Sequence, residues 1–266
     1  MIIKYRKDFD FKFLSEEGLN AIELASKLNF VDCLKFLLSV KTNFCFFQTT
    51  SVLRTVINYK SNDAFSFLVS HLTSSSGYLD EIFSKSEFSL LWTNALTENN
   101  IFALKIILQN SKSQNFEDFI FIHEDSFNSC NIIHFATELG RKKGIEVLVK
   151  HFGKSSLMTL NKLGQTPFLV AVSKGDFDLM NKIIELNHNS IFKPDFNGNN
   201  ALHVAVSLKL PLECIKFLAD LNMNWEAENF SGVSPLDLFE NHALNLESEF
   251  QEDLNYIANR ILQNKK

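Results

Sequence analysis

The chain is short of positive charge, of paired cysteines and of long apolar runs, and each shortage argues against a class of protein. Its 266 residues carry 26 Lys and Arg against 31 Asp and Glu, which gives a formal net charge of −5. A general nucleic-acid binder needs surplus Lys and Arg against the phosphates, so we expect no nucleic-acid partner. The four cysteines include no CxxC pair, which fits neither a disulfide scaffold nor a four-cysteine zinc site.

No apolar run approaches the ~18–20 residues that span a bilayer, so we expect no membrane span. Residues 1–14 alternate charged side chains with phenylalanine and lack the continuous apolar core and cleavage site of a secretory signal. We therefore expect an intracellular, cytoplasmic protein in a reducing compartment, and export by a route without such a signal stays open. Hydrophobic residues make up 45% of the sequence and charged residues 21%, which is typical of a folded globular chain.

What the chain does contain is an internal repeat with a period near 34 residues. The clearest copies are GQTPFLVA (164–171), GNNALHVA (198–205) and GVSPLDLF (232–239), and earlier copies are GLNAIELA (18–25) and SCNIIHFA (129–136). We call the last residue of each copy its anchor and number seven repeat units by their anchors, including two weaker copies: Ala25, Val56, Ala95, Ala136, Ala171, Ala205 and Phe239. The anchors are separated by 31, 39, 41, 35, 34 and 34 residues.

The glycines follow the same period. Four lie seven residues before an anchor and two lie four residues after one: Gly18, Gly164, Gly198 and Gly232, then Gly140 and Gly175. Random placement in these two columns gives about one match rather than six. Thr166 and Ser234 are placed to cap a helix, and Pro167 and Pro235 follow at the first helical position.

The sequence resembles the ankyrin-repeat family. The best local match to the family pattern is Asn161–Phe168, and unit 6 adds Asp195, Gly198, Leu202, His203 and Ala205. The resemblance covers about residues 15–240, is strong in units 4–7 and is weak in units 2 and 3. It implies an all-α fold: an ankyrin-like helical solenoid of about six to seven repeats, with short β-turn fingers and a C-terminal capping helix. A helical N-terminal part of another kind stays an alternative.

These patterns divide the chain into four segments. They are an N-terminal segment (1–14), degenerate repeats with insertions (15–127), regular repeats (128–240) and a C-terminal capping helix (241–266) with a polar-faced pattern over 246–263. The insertions fall near 71–87 and 110–126, where we expect longer second helices or extra turns, with Ser74–Gly77 as a flexible turn. The second insertion includes the apolar run 119–122.

A search for chemistry finds no catalytic residue, no metal site and no cofactor motif. Cys130 and His134 are four residues apart, but the resemblance implies a structural role for His134 and His203, each hydrogen-bonded to the next turn. Cys33 and Cys214 occupy matching slots of second helices, where we expect them to be buried like small hydrophobic residues. We expect the same of four phenylalanines: Phe36, Phe65, Phe102 and Phe217. His123–Asp125 is expected to be a solvated loop.

The candidate binding residues lie at the fingers and along the concave face that the resemblance implies. The finger residues are Phe127, Leu163, Phe196 and Phe230, and the concave-face residues include Leu139, Lys174, Leu208 and His242. Apolar residues on neighbouring exposed turns suggest a binding surface. The alternative is that neighbouring fingers cover each other's apolar faces.

The sequence therefore predicts a non-enzymatic recognition or scaffold protein that binds a protein partner and is monomeric by itself. A rigid, preorganised surface with aromatic anchors limits the entropy cost of binding. Two alternatives remain. One is a fixed structural subunit of a larger assembly, with its irregular units 1–3 buried. The other is a secreted effector whose N-terminal half is catalytic, which would require clustered polar residues with shifted pKa values in a pocket.

Overall fold

The computed structural model describes residues 14–39, 46–112, 120–121, 130–243 and 251–264. The chain separates into two compact parts, an N-terminal part (Met1–Gln114) and a C-terminal part (Asn115–Lys266). Repeat units 1–3 lie in the first part and units 4–7 lie in the second.

In the N-terminal part, each repeat unit is a pair of helices joined by a short connection. The first helices carry the anchors and are α1 (Ala21–Lys27), α3 (Phe46–Asn58) and α6 (Lys85–Thr97). The second helices are α2 (Val31–Ser39), α4 (Asn62–Ser76) and α7 (Ile101–Gln109), with the short helix α5 (Leu79–Ile82) after α4. Helix α3 packs against α1 and α6, and α4 packs against α2 and α7, so first helices and second helices form separate layers.

The C-terminal part repeats the same arrangement. Its first helices are α8 (Ile132–Glu138), α10 (Pro167–Ser173), α12 (Ala201–Ser207) and α14 (Pro235–Ala243), each packed on the next. Its second helices are α9 (Lys142–Phe152), α11 (Phe177–Leu186), α13 (Leu212–Asp220) and α15 (Gln251–Asn264). Two short strands, β1 (Ile120–Phe121) and β2 (Cys130–Asn131), pair in antiparallel register with Ile120 opposite Asn131.

The anchors lie where neighbouring first helices press together. All seven are buried: Ala25, Val56, Ala95, Ala136, Ala171, Ala205 and Phe239. A small side chain allows this close approach, and a larger one would separate the helices. In unit 7 the larger Phe239 is accommodated beside Trp225, with the ring centroids 5.6 Å apart and the planes at 68°.

The first helices start at the polar residues that the repeat pattern places there. The Thr166 hydroxyl accepts a hydrogen bond from the Leu169 amide at 3.2 Å, with Pro167 at the first helical position. The Ser234 hydroxyl accepts one from the Asp237 amide, also at 3.2 Å. Each cap satisfies a backbone donor that the first helical turn leaves without a partner, so the predicted capping roles of Thr166 and Ser234 are confirmed.

Four residues after each of the first six anchors, the backbone takes a positive φ of 51° to 65°. These residues are Asn29, Lys60, Asn99, Gly140, Gly175 and Lys209. The conformation lets the following amide donate to the anchor carbonyl, as from Ser61 to Val56 at 2.9 Å and from Asn100 to Ala95 at 2.7 Å. This is the Schellman type of helix end. Units 2 and 3 therefore share the turn of the better matched units.

The first insertion is taken up by helix, as the spacing predicts. Helix α4 has 15 residues, and α5 adds one more turn. Ser74–Ser76 belong to α4 rather than to a flexible turn, and Gly77, with φ of 90°, ends that helix. In the second insertion, α7 has nine residues and β1 lies at 120–121. Residues 113–119 and 122–129 lie outside the described residues.

Three residues expected in the core are exposed. Cys33 and Phe36 lie on α2, whose buried stripe consists of Leu34 and Leu37. Phe102 lies beside the buried stripe of α7. For Phe36 and Phe102 the predicted burial is wrong because one helical residue turns by about 100°, so a position next to the stripe leaves the core. For Cys33 it is wrong although Cys214, in the matching slot of α13, is buried.

The predicted burial agrees better with the structure for Cys214, Phe65 and Phe217. Cys214 is fully buried in α13, and burial raises the pKa of its thiol to about 11. Phe65 is buried in α4. Phe217 is half-buried, and its ring packs edge-on against Phe177 with the centroids 5.8 Å apart. Where a neighbouring second helix covers the slot, the side chain is shielded from water.

Helix α15 covers α13 at the C-terminal end of the described chain. Ile257 and Ile261 are buried, and α15 packs on α13. The Tyr256 hydroxyl donates to Asp220 at 2.8 Å, and Arg260 pairs with the same carboxylate at 2.8 Å. One apolar face on the repeats and one polar face in water is the arrangement of a capping helix.

Candidate functional site

Three turns precede the first helices of units 5, 6 and 7, and we call them finger A (161–166), finger B (195–200) and finger C (229–234). Each begins with an Asn or Asp whose side-chain oxygen accepts two backbone amides of its own turn. In finger A, Asn161 Oδ1 accepts from Leu163 at 3.0 Å and from Gln165 at 2.9 Å. Asp195 and Asn229 make the equivalent pairs of bonds in fingers B and C. The fingers are therefore held in shape by their own side chains.

Neighbouring fingers touch through a phenylalanine that lies on a glycine, which we call a ring-on-glycine contact. Phe196 of finger B lies on Gly164 of finger A, so that a Cβ at Gly164 would come within 2.6 Å of the Phe196 Cβ. Phe230 of finger C lies on Gly198 of finger B, where a Cβ would be 3.1 Å from the Phe230 ring. Both glycines have positive φ, 73° and 81°. A glycine is required at both places, for conformation and for space.

The finger residues remain accessible in spite of these contacts. Leu163 is 49% exposed, Phe196 58% and Phe230 83%. Each phenylalanine thus covers the preceding finger with one edge or face and presents the rest to solvent. Neighbouring fingers therefore cover part of each other's apolar surface and leave part of it exposed. A protein-binding role for these three residues stays a prediction.

The other predicted binding residues lie at the ends of the first helices or outside the residues that the structure describes. Leu139 is half-buried and Leu208 is exposed, each at the end of its first helix. Lys174 is exposed and lies 3.9 Å from the Glu138 carboxylate. Residue His242 is within α14, but its side chain lies outside the described residues, as does Phe127 altogether.

The structure adds a row of residues that the sequence analysis missed. Phe135, Val204 and Leu238 are half-buried. Each lies one residue before its anchor and four residues before a predicted binding position. Residues four apart lie on one face of a helix, so the row adjoins Leu139 and Leu208. The repeat pattern could have predicted this row, because an apolar residue comes directly before the anchor in each of these units.

Two histidines connect first helices to the fingers that follow. The Nδ1 atom of His134 lies 2.8 Å from Asn131 Oδ1, and its Nε2 lies 2.9 Å from the Gln165 carbonyl of finger A. His203 makes the corresponding bonds to Asn200 and to the Val233 carbonyl of finger C, at 2.9 and 3.0 Å. Both rings are buried. The structural role that the family resemblance implies for these histidines is what the structure shows.

Burial lowers the pKa of both imidazoles, because the charged form would lose its hydration. The pKa of His134 falls to about 4, with the Gln165 carbonyl opposing the shift. The pKa of His203 falls in the same direction for the same cause. Neutral imidazoles at pH 7 suit a fixed hydrogen-bonding role.

The described residues contain no group of three or more His, Cys, Asp or Glu that could hold a metal ion. Within the described ranges, no helix is both long and apolar enough to cross a membrane. Residues 123–125 and the Cys130 side chain lie outside the description.

Comparisons with known proteins agree with this architecture. Residues 133–229 match the model of a family described as ankyrin repeats, in three copies. The fold is similar to the crystal structure of the ankyrin repeat domain of Bcl-3, a member of the IkappaB protein family, with a TM-score of 0.61 and 13% sequence identity. That match covers 83% of this chain and 94% of the other. No curated protein sequence matches the chain. The predicted fold class, an ankyrin-like helical solenoid, is confirmed.

Proposed function

Because residues 133–229 match the ankyrin-repeat family model and the fold is that of ankyrin repeats, we propose that the chain is a non-enzymatic recognition protein that binds a partner protein. The proposed surface is formed by the first helices of units 4–7 and by fingers A, B and C. Ankyrin repeats are generally protein–protein interaction modules and are typically non-enzymatic. The fold alone does not decide function, so the proposal depends on the finger residues.

The observation that carries the proposal is the exposure of Phe196 and Phe230 on turns that are already fixed in shape. Aromatic side chains contribute most strongly to protein interfaces, and they do so near the centre of a buried patch. A turn closed by its own Asp195 or Asn229 side chain has little freedom left to lose on binding. Apolar Leu208, also exposed, extends the surface onto the first helices.

We would test the proposal by affinity capture from native extract with three forms of the full chain. They are the wild type, the double variant Phe196→Asp with Phe230→Asp, and the control Phe192→Asp. Phe192 is 53% exposed but lies in a 3-10 helix outside the fingers, which makes it a matched control. Circular dichroism would verify that all three forms fold.

We expect a partner that the wild type and the control capture and that the double variant loses. Two aromatic anchors at about 2 kcal/mol each correspond to a loss of affinity well above ten-fold. If the same partner returns with all three forms, the fingers are not the binding site. The fixed-subunit alternative then gains support from a set of apolar residues that unit 1 exposes: Leu24, Leu28, Phe30 and Phe36.

A further inference from the structure

The series of ring-on-glycine contacts stops at finger C. Gly164 is covered by Phe196, and Gly198 is covered by Phe230. Gly232 occupies the same place in finger C with φ of 72°, but no described atom lies within 4 Å of the position that a Cβ would take. Ser231 and Gly232 are both exposed. The last finger therefore presents an open copy of a surface that is occupied in the two fingers before it.

Finger B shows what this surface binds. It receives the Phe230 ring on Gly198, and its Asn197 carbonyl accepts the Phe230 amide at 2.9 Å. The equivalents in finger C are Gly232 and the carbonyl of Ser231. That carbonyl accepts no hydrogen bond from the residues that the structure describes. Beside it stands the Phe230 ring, 83% exposed, in the position that Phe196 has in finger B.

We propose that finger C is the docking site for an aromatic residue of a partner protein, presented on a turn or extended segment. The aromatic ring would lie on Gly232 and beside Phe230, and the backbone amide of that residue would donate to the Ser231 carbonyl. The argument is continuity with fingers A and B, because the same chain places a phenylalanine on the equivalent glycine twice and makes the amide-to-carbonyl bond at finger B. This inference rests on the proposed function, since it assigns a partner's chemistry to one end of the proposed surface.

A second copy of the chain fits the site less well. The turn of unit 1, which Ser15 begins, places Glu16 at the column that holds Phe196 and Phe230 in the later fingers. Head-to-tail extension by another copy would therefore set a carboxylate on Gly232 and against an aromatic ring. Removing that carboxylate from water without a partner is unfavourable, so the occupant is assigned to a different protein.

The test is an NMR titration of the ¹⁵N-labelled full chain with a cyclic peptide that copies residues 227–234, in which Phe230 is the one aromatic residue. This peptide carries the phenylalanine and the turn sequence that contact Gly198 within the chain. We expect saturable shifts of the Ser231 and Gly232 amides at peptide concentrations on the order of 1 mM, as a single buried side chain supports. The same peptide with alanine in place of its phenylalanine should give no such shifts.

A variant pair separates binding from folding. Gly232→Asn keeps the left-handed backbone, which Asn tolerates, but adds a side chain where the ring would lie. It should weaken the peptide at least ten-fold. The control Gly18→Asn has φ of 74° at the wild-type glycine and equally open surroundings in unit 1, and it should leave peptide binding unchanged.

Three outcomes would overturn the inference. They are an absence of shifts at Gly232, equal shifts with the alanine peptide, or equal binding by the Gly232→Asn variant. Shifts of Gly232 that grow with protein concentration alone, with a doubled mass in sedimentation, would identify a second copy as the occupant and overturn the assignment to another protein. If partner capture depends on Phe196 and Phe230 while the titration fails, only this inference falls and the proposed function stands.

Discussion

At the residue scale, His134 shows how a single buried side chain ties one repeat to the next. Its two ring nitrogens bond to Asn131 in its own unit and to the Gln165 carbonyl in the following one. Such a bond between two buried groups contributes about 1 kcal/mol when made, and more is lost when one group is left without a partner. A neutral imidazole carries one N–H and donates to only one of these two oxygens at a time, and burial favours this neutral form.

We expect His134 to make stability depend on pH. Its pKa is about 4 in the folded protein, against 6.5 for an unperturbed histidine. Between these values the unfolded chain binds more protons than the folded chain, so the free energy of unfolding is highest above about pH 6.5 and falls as the pH decreases. The slope contributed by this residue approaches 1.4 kcal/mol per pH unit.

Urea unfolding of the wild type, His134→Gln and His188→Gln at pH 7, 6 and 5 measures this contribution. His188 is exposed and serves as the control. The His134 variant should be less stable at pH 7 and should lose part of the pH slope, while the control keeps it. Equal slopes in all three proteins would show that His134 does not carry the dependence.

Lys209 is a residue in an unfavourable conformation, and we expect Lys209→Gly to stabilise the protein. Its φ of 53° costs a residue with a Cβ about 1–2 kcal/mol. Glycine removes this cost but adds about 0.5–1 kcal/mol of unfolded-state entropy, which leaves a gain of about 0.5–1 kcal/mol. Chemical denaturation measures it.

The control is Asn222→Gly, at a φ of 54° that asparagine already tolerates. It should bring a smaller gain than Lys209→Gly or none. A loss of stability on replacing Lys209 would mean that its side chain supports the fold in some further way.

At the scale of elements, fingers A and B are stable because each turn is closed by its own side chain and is then contacted by the next finger. Two contacts join fingers B and C. The side-chain amide of Asn229 donates a hydrogen bond to Asn199 Oδ1 at 2.8 Å, and the ring of Phe230 lies on Gly198. In unit 5 the histidine column holds the buried Leu169, so no imidazole links that unit's first helix to finger B. The contact of Phe196 on Gly164 is correspondingly important for fingers A and B.

We expect Gly164→Ala to destabilise the protein more than Gly175→Ala does. Both glycines have positive φ, 73° and 63°, so both alanines are strained by about 1–2 kcal/mol. At Gly164 the new methyl group also collides with Phe196, whereas nothing lies within 4 Å at Gly175. Overpacking of this kind costs about 1–3 kcal/mol more.

The midpoints and slopes of urea unfolding curves for the two variants give this difference directly. Equal losses in the two variants would show that finger B moves aside at no cost, and that finger A does not depend on it.

At the scale of the whole molecule, the sequence predicted the repeats best where several local rules coincide. In units 5 and 7, a turn glycine, a hydroxyl cap and a proline at the first helical position together leave one structure available. Units 2 and 3 lack the turn glycine and the proline at these columns, and their backbone shows the shared turn at Lys60 and Asn99. These turn and cap residues are therefore sufficient to predict a repeat unit, but a segment without them can still form one.

The sequence predicted exposure less well than it predicted helices. Cys33 is exposed in α2 whereas Cys214 is fully buried in the matching slot of α13, since burial depends on which neighbouring helix covers a slot. The opening at Gly232 has the same origin, because only the folded chain shows that no described phenylalanine lies on this glycine. The repeat pattern predicts where equivalent residues lie. Whether another side chain covers each of them depends on the packing of the folded chain.

The turn that ends each first helix has a consequence for how such a protein changes over evolutionary time. Six turns keep one backbone conformation with only two glycines among them, Gly140 and Gly175. Each replacement costs about 1–2 kcal/mol at most, which a domain stabilised by about 5–15 kcal/mol can absorb one at a time. Units 1–3, whose turns have Asn or Lys there, all lie outside the family match at 133–229. In this chain the backbone torsions at the turn therefore repeat more regularly than the residue types do.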